Sequence, residues 1–492
     1  MFEIPYINLA KLMEIWMLIT HHSRLCFLLF TAVSIALGAC RKDKNDTSDK
    51  ETLLKDSVYL YTREVYLWQD ALPANFSPRQ YSRAETVLEA LKKYKIDPET
   101  QQSVDRYSFL DRERAVSEEV QEGVLGDFGL DVRYEAEDDL RVKLVYEGSP
   151  AGRAGIERSW KVLKINGNAN IGYNAMATDD FNFLFNALSG ETIKLSLQKP
   201  DGSQAEIDLN KAVYSINPVL HFNVYQRAGK KIGYLVFNNF VAITNKNIPT
   251  AAKAKIDEAF GAFENAGVTE LIVDLRYNGG GSVATSEYLS NLLAPAAANG
   301  ELMYSYRLNK TLTSYTQTDP DYKKAFASVN FAKLGTLNLN RIVFIVTQGS
   351  TASASELLIN NLKPYVQDVK LVGEKSTLGK PVGFFPIPIF DTDLYAVSFE
   401  TLNALGQGEY YQGIKVDRGG QVFDDLTRKF GDENEACLAT ALAYSQNGNF
   451  PALASVKTSA SAKGKSVTSS ISLNKALDGK GNKNMFVFPG NK

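Results

Sequence analysis

Hydrophobic residues recur along this chain with two different periods, and the changes of period divide it. Leu54, Val58, Tyr61, Val65 and Trp68 follow at steps of four and three, which predicts an amphipathic helix with one buried stripe. Ser82-Arg83-Ala84-Glu85 has the form of a capping box and leads into TVLEAL, announcing a second helix. Residues 52–115 therefore read as a small helical region. From 116 to 214 the texture changes to short alternating runs, GLDVRY, RVKLVY and TIKLSLQ, divided by Gly, Asp and Asn turns. This pattern predicts a compact, strand-rich module.

The period changes again at 215–448. IGYLVF from Ile232 reads as a buried strand, and Thr250 to Ala266 as a helix closed by Gly267. TELIVDL, the loop Arg276-Tyr277-Asn278-Gly279-Gly280-Gly281 and ATSEYLSNLL then give strand, glycine loop and helix. RIVFIVT, a serine-rich loop and ELLINNL repeat the scheme. Such alternation predicts an α/β core with parallel strands and sites at the strand ends. Residues 449–492 are rich in Ser, Ala, Lys, Gly and Asn with little periodicity apart from MFVFPG, and are expected to be a flexible or weakly docked tail. The 492-residue length suits an α/β multidomain protein of about three units.

Near the start, His21, His22 and Arg24 precede the short apolar run CFLLFTAVSIAL. That run is too short to span a bilayer but suits a signal peptide over 1–40. Leu37-Gly38-Ala39-Cys40 resembles the bacterial lipobox, which implies lipid on Cys40, a membrane attachment and an exported, cell-envelope location. Residues 41–51, RKDKNDTSDKE, read as a polar tether. With Cys26 in the leader and Cys40 lipidated, only Cys437 remains, so no intramolecular disulfide is expected. A formal net charge of −2 gives no electrostatic footprint for nucleic acid.

Residues 349–356 read GSTASASE, followed by Gly379-Lys380, in a chain with three histidines. His21 and His22 lie in the leader, which leaves His221 as the one candidate for a serine–histidine pair. Ser353-Ala354-Ser355-Glu356 is itself a capping box before an apolar helix. The same geometry would place a hydroxyl at the positive end of a helix, beside backbone N–H groups able to stabilise an oxyanion. Ser350, Thr351 and Ser355 are rival hydroxyls. Lys380 is the more plausible base, with Lys375 as its nearest competitor. A lysine base must be neutral, and lowering its pKa by about three units takes roughly 4 kcal/mol of desolvation or cationic neighbours. The lysine stretch is not a Walker A loop, because its glycine spacing is too long and proline follows the lysine. Gly279-x-Gly281-x-x-Ala284 loosely matches a dinucleotide fingerprint, but no acidic residue ends the next strand to hold a ribose. The loop could instead supply a second backbone donor opposite Ser353.

Together these segments resemble the C-terminal processing peptidases, or tail-specific proteases, of the serine/lysine dyad type. The resemblance rests on Asp274-Leu275-Arg276-Tyr277-Asn278-Gly279-Gly280-Gly281, on TASASE at 351–356 and on GEKSTLGK at 373–380. It implies Ser353 as nucleophile, Lys380 as general base, and Gly281 with Ala354 as the oxyanion hole. EGSPAGRAGI at 147–156 and KVLKING at 161–167 are similar to the family's PDZ domain. The resemblance thus makes 116–214 a PDZ-like peptide-binding domain, with Phe128, Gly129, Leu130 and Asp131 as its carboxylate loop, and 215–448 the peptidase core. The chain departs from the family in four details, two of them Ser159-Trp160 where the PDZ turn usually has Gly-Asp and Val416-Asp417 where a Pro-Asp is usual. Lys380 follows Ser353 by slightly more than the usual spacing, and Phe384 stands where many relatives carry a glutamine that orients the lysine. The expected activity is cleavage of protein substrates held by their C-terminal segments, without metal or cofactor. The alternative is a catalytically weak peptide-binding scaffold on the same fold.

Overall fold

The computed structural model describes residues 46–418 and 421–451, with the short strand Met485–Phe486. The apolar leader, the lipobox and Cys40 lie outside the described residues.

Near-continuous runs of Ile, Val, Leu and Phe can be buried only in a sheet covered on both faces. The core is such a sheet, ordered Asp368–Gly373, Arg341–Val346, Glu270–Asp274, Lys230–Phe237 and Val219–Arg227. The first four strands are parallel and the last is antiparallel. Leu271, Val273, Ile342 and Phe344 pack with the helices Ala251–Ala266, Val283–Leu293 and Ala354–Leu362. Ile272, Val343 and Ile345 belong to the opposite layer, with Leu438 and Ala441 of the helix Ala436–Asn447. Parallel strands carry their following loops at one end. The glycine loop after Asp274, the serine loop after Val346 and the lysine loop after Gly373 therefore converge.

The stretch from Val124 to Ser215 is rich in strands. Its antiparallel sheet runs Leu130–Ala136, Asp139–Val145, Lys161–Ile165, Thr192–Gln198, Gln204–Asn210. Leu140, Val142 and Leu144 alternate inward along the second strand. Leu184 and Ala187 of the helix Asn182–Ser189 join the module's own apolar core.

The N-terminal region differs from the sequence expectation in two respects. Among the described residues a helix covers Asp46–Val65, so the second half of the expected tether is helical. Acidic residues suit a helix N-terminus, and Glu51 is anchored by accepting from Ala84 N at 2.7 Å and pairing with Arg112 at 3.1 Å. Nor is the region purely helical: Phe109–Asp111 pairs antiparallel with residues 393–395 of the core. Leu54, Val58, Leu88 and Leu91 share one apolar cluster with Leu312 and Leu394. In the tail, Met485–Phe486 forms a strand beside Gly281–Ser282.

Candidate active site

A strand that must turn sharply into a helix forces its junction residue out of ordinary backbone geometry. Ser353 sits at that junction, directly before Ala354–Leu362, with φ 60° and ψ −110°. A positive φ is strained for a residue with a Cβ. The Ser353 hydroxyl is fully buried and makes no hydrogen bond. Its rivals Thr351 and Ser355 are tied down, donating to Leu275 O at 2.8 Å and Asn278 O at 3.1 Å. Buried polar groups are normally satisfied, so an orphan hydroxyl on a strained turn singles out Ser353 as the candidate among the loop's hydroxyls.

Glu356, three residues on, holds the site together. Its buried carboxylate accepts from Ser353 N at 2.8 Å, Gly379 N at 2.7 Å and Lys380 N at 2.8 Å, and from the Thr377 hydroxyl. One side chain thus clamps the serine turn to the lysine loop. Burial pushes its carboxyl pKa up, against the pull of these donors. The capping-box reading found this residue but gave it a local role; that it reaches the lysine loop is a tertiary fact. Leu378 N adds a further tie to Thr351 O at 2.8 Å.

Lys380 is 0 % exposed, whereas Lys375 is exposed. Burial holds the Lys380 amine well below its ordinary pKa, opposed by Asp105 and Glu356. This is the dry environment that a neutral lysine requires. The amine lies 4.1 Å from the Phe384 ring centroid and 5.1 Å from that of Tyr107. Phe384, at the family's glutamine position, therefore walls the lysine with an aromatic face. Tyr107 donates to Gly379 O at 2.6 Å, and Asp105 accepts from Tyr66 at 2.8 Å. The N-terminal region thus closes the lysine pocket, which no local motif signals.

Gly281 lies in the glycine loop, and Ala354 opens the helix that follows Ser353. Asn278 fixes the first by accepting from Gly280 N at 2.9 Å and donating to Phe237 O at 2.9 Å. Its own carbonyl receives Ala352 N at 3.2 Å. Gly281 has φ 135°, and a Cβ there would lie 2.4 Å from Phe240 O. Behind this loop is a buried ionic cluster. Arg276 pairs with Asp274 at 2.7 Å, Asp424 at 2.7 Å and Glu435 at 2.9 Å. Arg158 of the middle module reaches Asp424 at 2.6 Å and the Tyr277 hydroxyl at 2.7 Å. Burial disfavours the Asp424 charge, but Arg158 and Arg276 hold its pKa below the ordinary range. The cluster binds the module to the root of the glycine loop.

His221 is elsewhere. It lies on the outer strand Val219–Arg227, three strands from Arg341–Val346, or about 14 Å across the sheet at about 4.8 Å per strand. Its Nε2 is buried without a hydrogen bond, and burial lowers its pKa.

In the middle module, Phe128 is buried in the apolar core. Gly129 donates to the Asp127 carboxylate at 2.7 Å, and Asp131 pairs with Lys143. Leu130 begins the outer strand of the sheet. Arg133 and Glu135 on that strand meet the core at Glu374, 4.0 Å away, and at Leu426 N, 3.0 Å away. Burial pushes Glu135 up to about 7.

Residues 231–417 match the model of peptidase family S41, and residues 54–109 match the peptidase S41 N-terminal domain. The chain belongs to peptidase family S41. A carboxyl-terminal-processing protease of Picosynechococcus is 28% identical over 262 residues, 52% of this chain and 55% of that protein. The Staphylococcus aureus protein named Probable CtpA-like serine protease is 27% identical over 296 residues, 59% of this chain and 52% of its own. The chain thus spans about half the length of the curated S41 relatives it matches. The crystal structure of a candidate S41 protease from Bacteroides fragilis aligns with 84% of this chain and all of its own, at TM-score 0.61 and 23% identity. That likeness establishes the shared S41 fold.

Proposed function

We propose that this protein is a serine endopeptidase that cleaves protein substrates near their C-terminal ends, using Ser353 and Lys380. One observation carries the reading: an unpaired, buried serine hydroxyl sits on a strained turn whose backbone Glu356 ties to the loop of a wholly buried lysine. A neutral Lys380 amine would take the Ser353 proton as the oxygen attacks the scissile carbonyl. The serine hydroxyl makes no hydrogen bond here, so this transfer requires a side-chain rotation that brings oxygen and amine together. The N–H groups of Gly281 and Ala354 would hold the tetrahedral oxyanion. Collapse expels the amine product, protonated by Lys380, and leaves an acyl-serine that water hydrolyses.

The middle module would act as a PDZ-like domain, adding a substrate tail to the outer strand Leu130–Ala136 with Phe128 to Asp131 at its carboxylate end. Asp127 holds Gly129 N–H, so an incoming carboxylate would have to displace it. Cys40 would carry lipid and hold the enzyme at a membrane of the cell envelope. The unmade serine–lysine hydrogen bond favours, as second reading, a peptide-binding scaffold of low activity.

The test is purified mature protein with an unfolded, apolar-tailed protein substrate, read by mass spectrometry. Cleavage abolished by both Ser353→Ala and Lys380→Ala supports the enzyme. Saturable binding without cleavage by the parent protein supports the scaffold.

A further inference from the structure

A peptide that reaches an oxyanion donor must lay its backbone along the loop that carries the donor. Here that edge is occupied. Met485–Phe486 pairs in parallel with Gly281–Ser282, Met485 opposite Gly281 and Phe486 opposite Ser282. The same two-residue strand also lies against Val382–Gly383, just beyond Lys380. It therefore runs between the loop of the oxyanion donor and the loop of the lysine.

The ladder shows which side of Gly281 the segment occupies. Phe240 bridges Gly281 from the opposite edge, its N–H donating to Gly280 O at 3.0 Å and its carbonyl accepting from Ser282 N at 2.7 Å. In a strand, the N–H and C=O of one residue face the same edge, and neighbouring residues alternate. Gly280 O and Ser282 N face Phe240, so the Gly281 N–H and carbonyl face the edge where residues 485–486 lie. A steric fact keeps this orientation, since Phe240 O leaves no room for a Cβ on Gly281.

We propose that residues 485–486 occupy the substrate-backbone site of this chain's own active centre, so that this two-residue strand competes in cis with extended peptide substrates. The sequence fits such a role: an apolar hexapeptide follows the Ser-, Lys- and Ala-rich residues 452–484. Covalent attachment makes the competition intramolecular, so even weak pairing excludes dilute substrate. The word substrate rests on the peptidase reading above; occupancy of the edge does not.

Two measurements on the full chain carrying Ser353→Ala separate these claims. Met485→Pro with Phe486→Pro removes both N–H groups from the strand. Hydrogen exchange in the peptide covering 277–284 is expected to quicken at least tenfold in this variant. A fluorescent peptide of sequence GNKNMFVFPG is expected to bind it at least tenfold more tightly than it binds the parent. Unchanged exchange together with unchanged peptide affinity overturns the proposal. Met485→Asp with Phe486→Asp, which keeps the N–H groups, provides a second variant should the proline form lose its melting transition. With Ser353 restored, the same changes are expected to lower KM for an unfolded protein several-fold at constant kcat. Absence of turnover in every form would defeat the peptidase reading, while exchange and peptide binding would still decide occupancy.

Discussion

Replacing Glu356 by glutamine removes a charge and converts one acceptor oxygen into a donor, while hardly changing shape. One carboxylate oxygen faces Thr377 and Gly379 N–H; the other faces Ser353 and Lys380 N–H. If the amide nitrogen replaced the second oxygen, it would oppose two fixed backbone donors. Turned toward the first, it can donate to the Thr377 hydroxyl, which must then turn its own proton elsewhere, and it orphans Gly379 N–H. Each buried donor left unmet costs about 1–3 kcal/mol. Relief of the buried charge, whose pKa is raised by burial, offsets part of this. E356Q is therefore expected to lose up to about 1–3 kcal/mol, a fall in Tm of roughly 2–10 °C. Activity should suffer more, because Gly379 N–H positions the residue before the base, and a 1 Å displacement can cost on the order of a hundredfold in rate. Thermal denaturation and kcat/KM on an unfolded protein substrate measure the two effects. A variant with parental Tm and parental rate would refute the clamp.

Lys380→Met tests the desolvated base through stability. Folding depresses the lysine pKa, whereas the unfolded chain keeps about 10.4. Between the two values the unfolded state binds more protons, so stability contributed at this position rises with pH through that window. K380M should lose turnover yet melt above the parent protein at pH 7, with a flatter dependence of Tm on pH. Gly281→Ala forces a Cβ against Phe240 O, and should cut kcat on the order of a hundred- to a thousandfold by displacing an oxyanion donor; single-turnover acylation measures it. His221→Gln should leave the pH profile of kcat/KM between pH 5 and 9 unchanged, as the residue is three strands away; a shifted limb would restore histidine as base.

Elements with strong periodicity were legible before any coordinates. The alternation in RVKLVY became the half-buried strand Asp139–Val145, and RIVFIVT became the inner strand Arg341–Val346. The lower boundary of the first helix was misplaced because its opening turn is polar, and polarity alone does not distinguish a tether from an exposed helical turn. Glu51 decides that turn through Ala84 and Arg112, partners far along the chain. Where the tail docks was not legible: two residues of strand have no period of their own, and only the edge they pair with reveals them.

The sequence by itself determined the α/β alternation and the serine, glycine and lysine loops, because periodicity and residue chemistry are local. Only the tertiary structure decided that Glu356 joins two loops, that Tyr107 and Phe384 enclose Lys380, and that Arg158 braces the glycine loop from another module. Desolvation and hydrogen-bond satisfaction depend on what surrounds a group in space. Those neighbours lie from 4 residues away in the chain, for Phe384 and Lys380, to 273, for Tyr107 and Lys380, and the fold decides which of them meet.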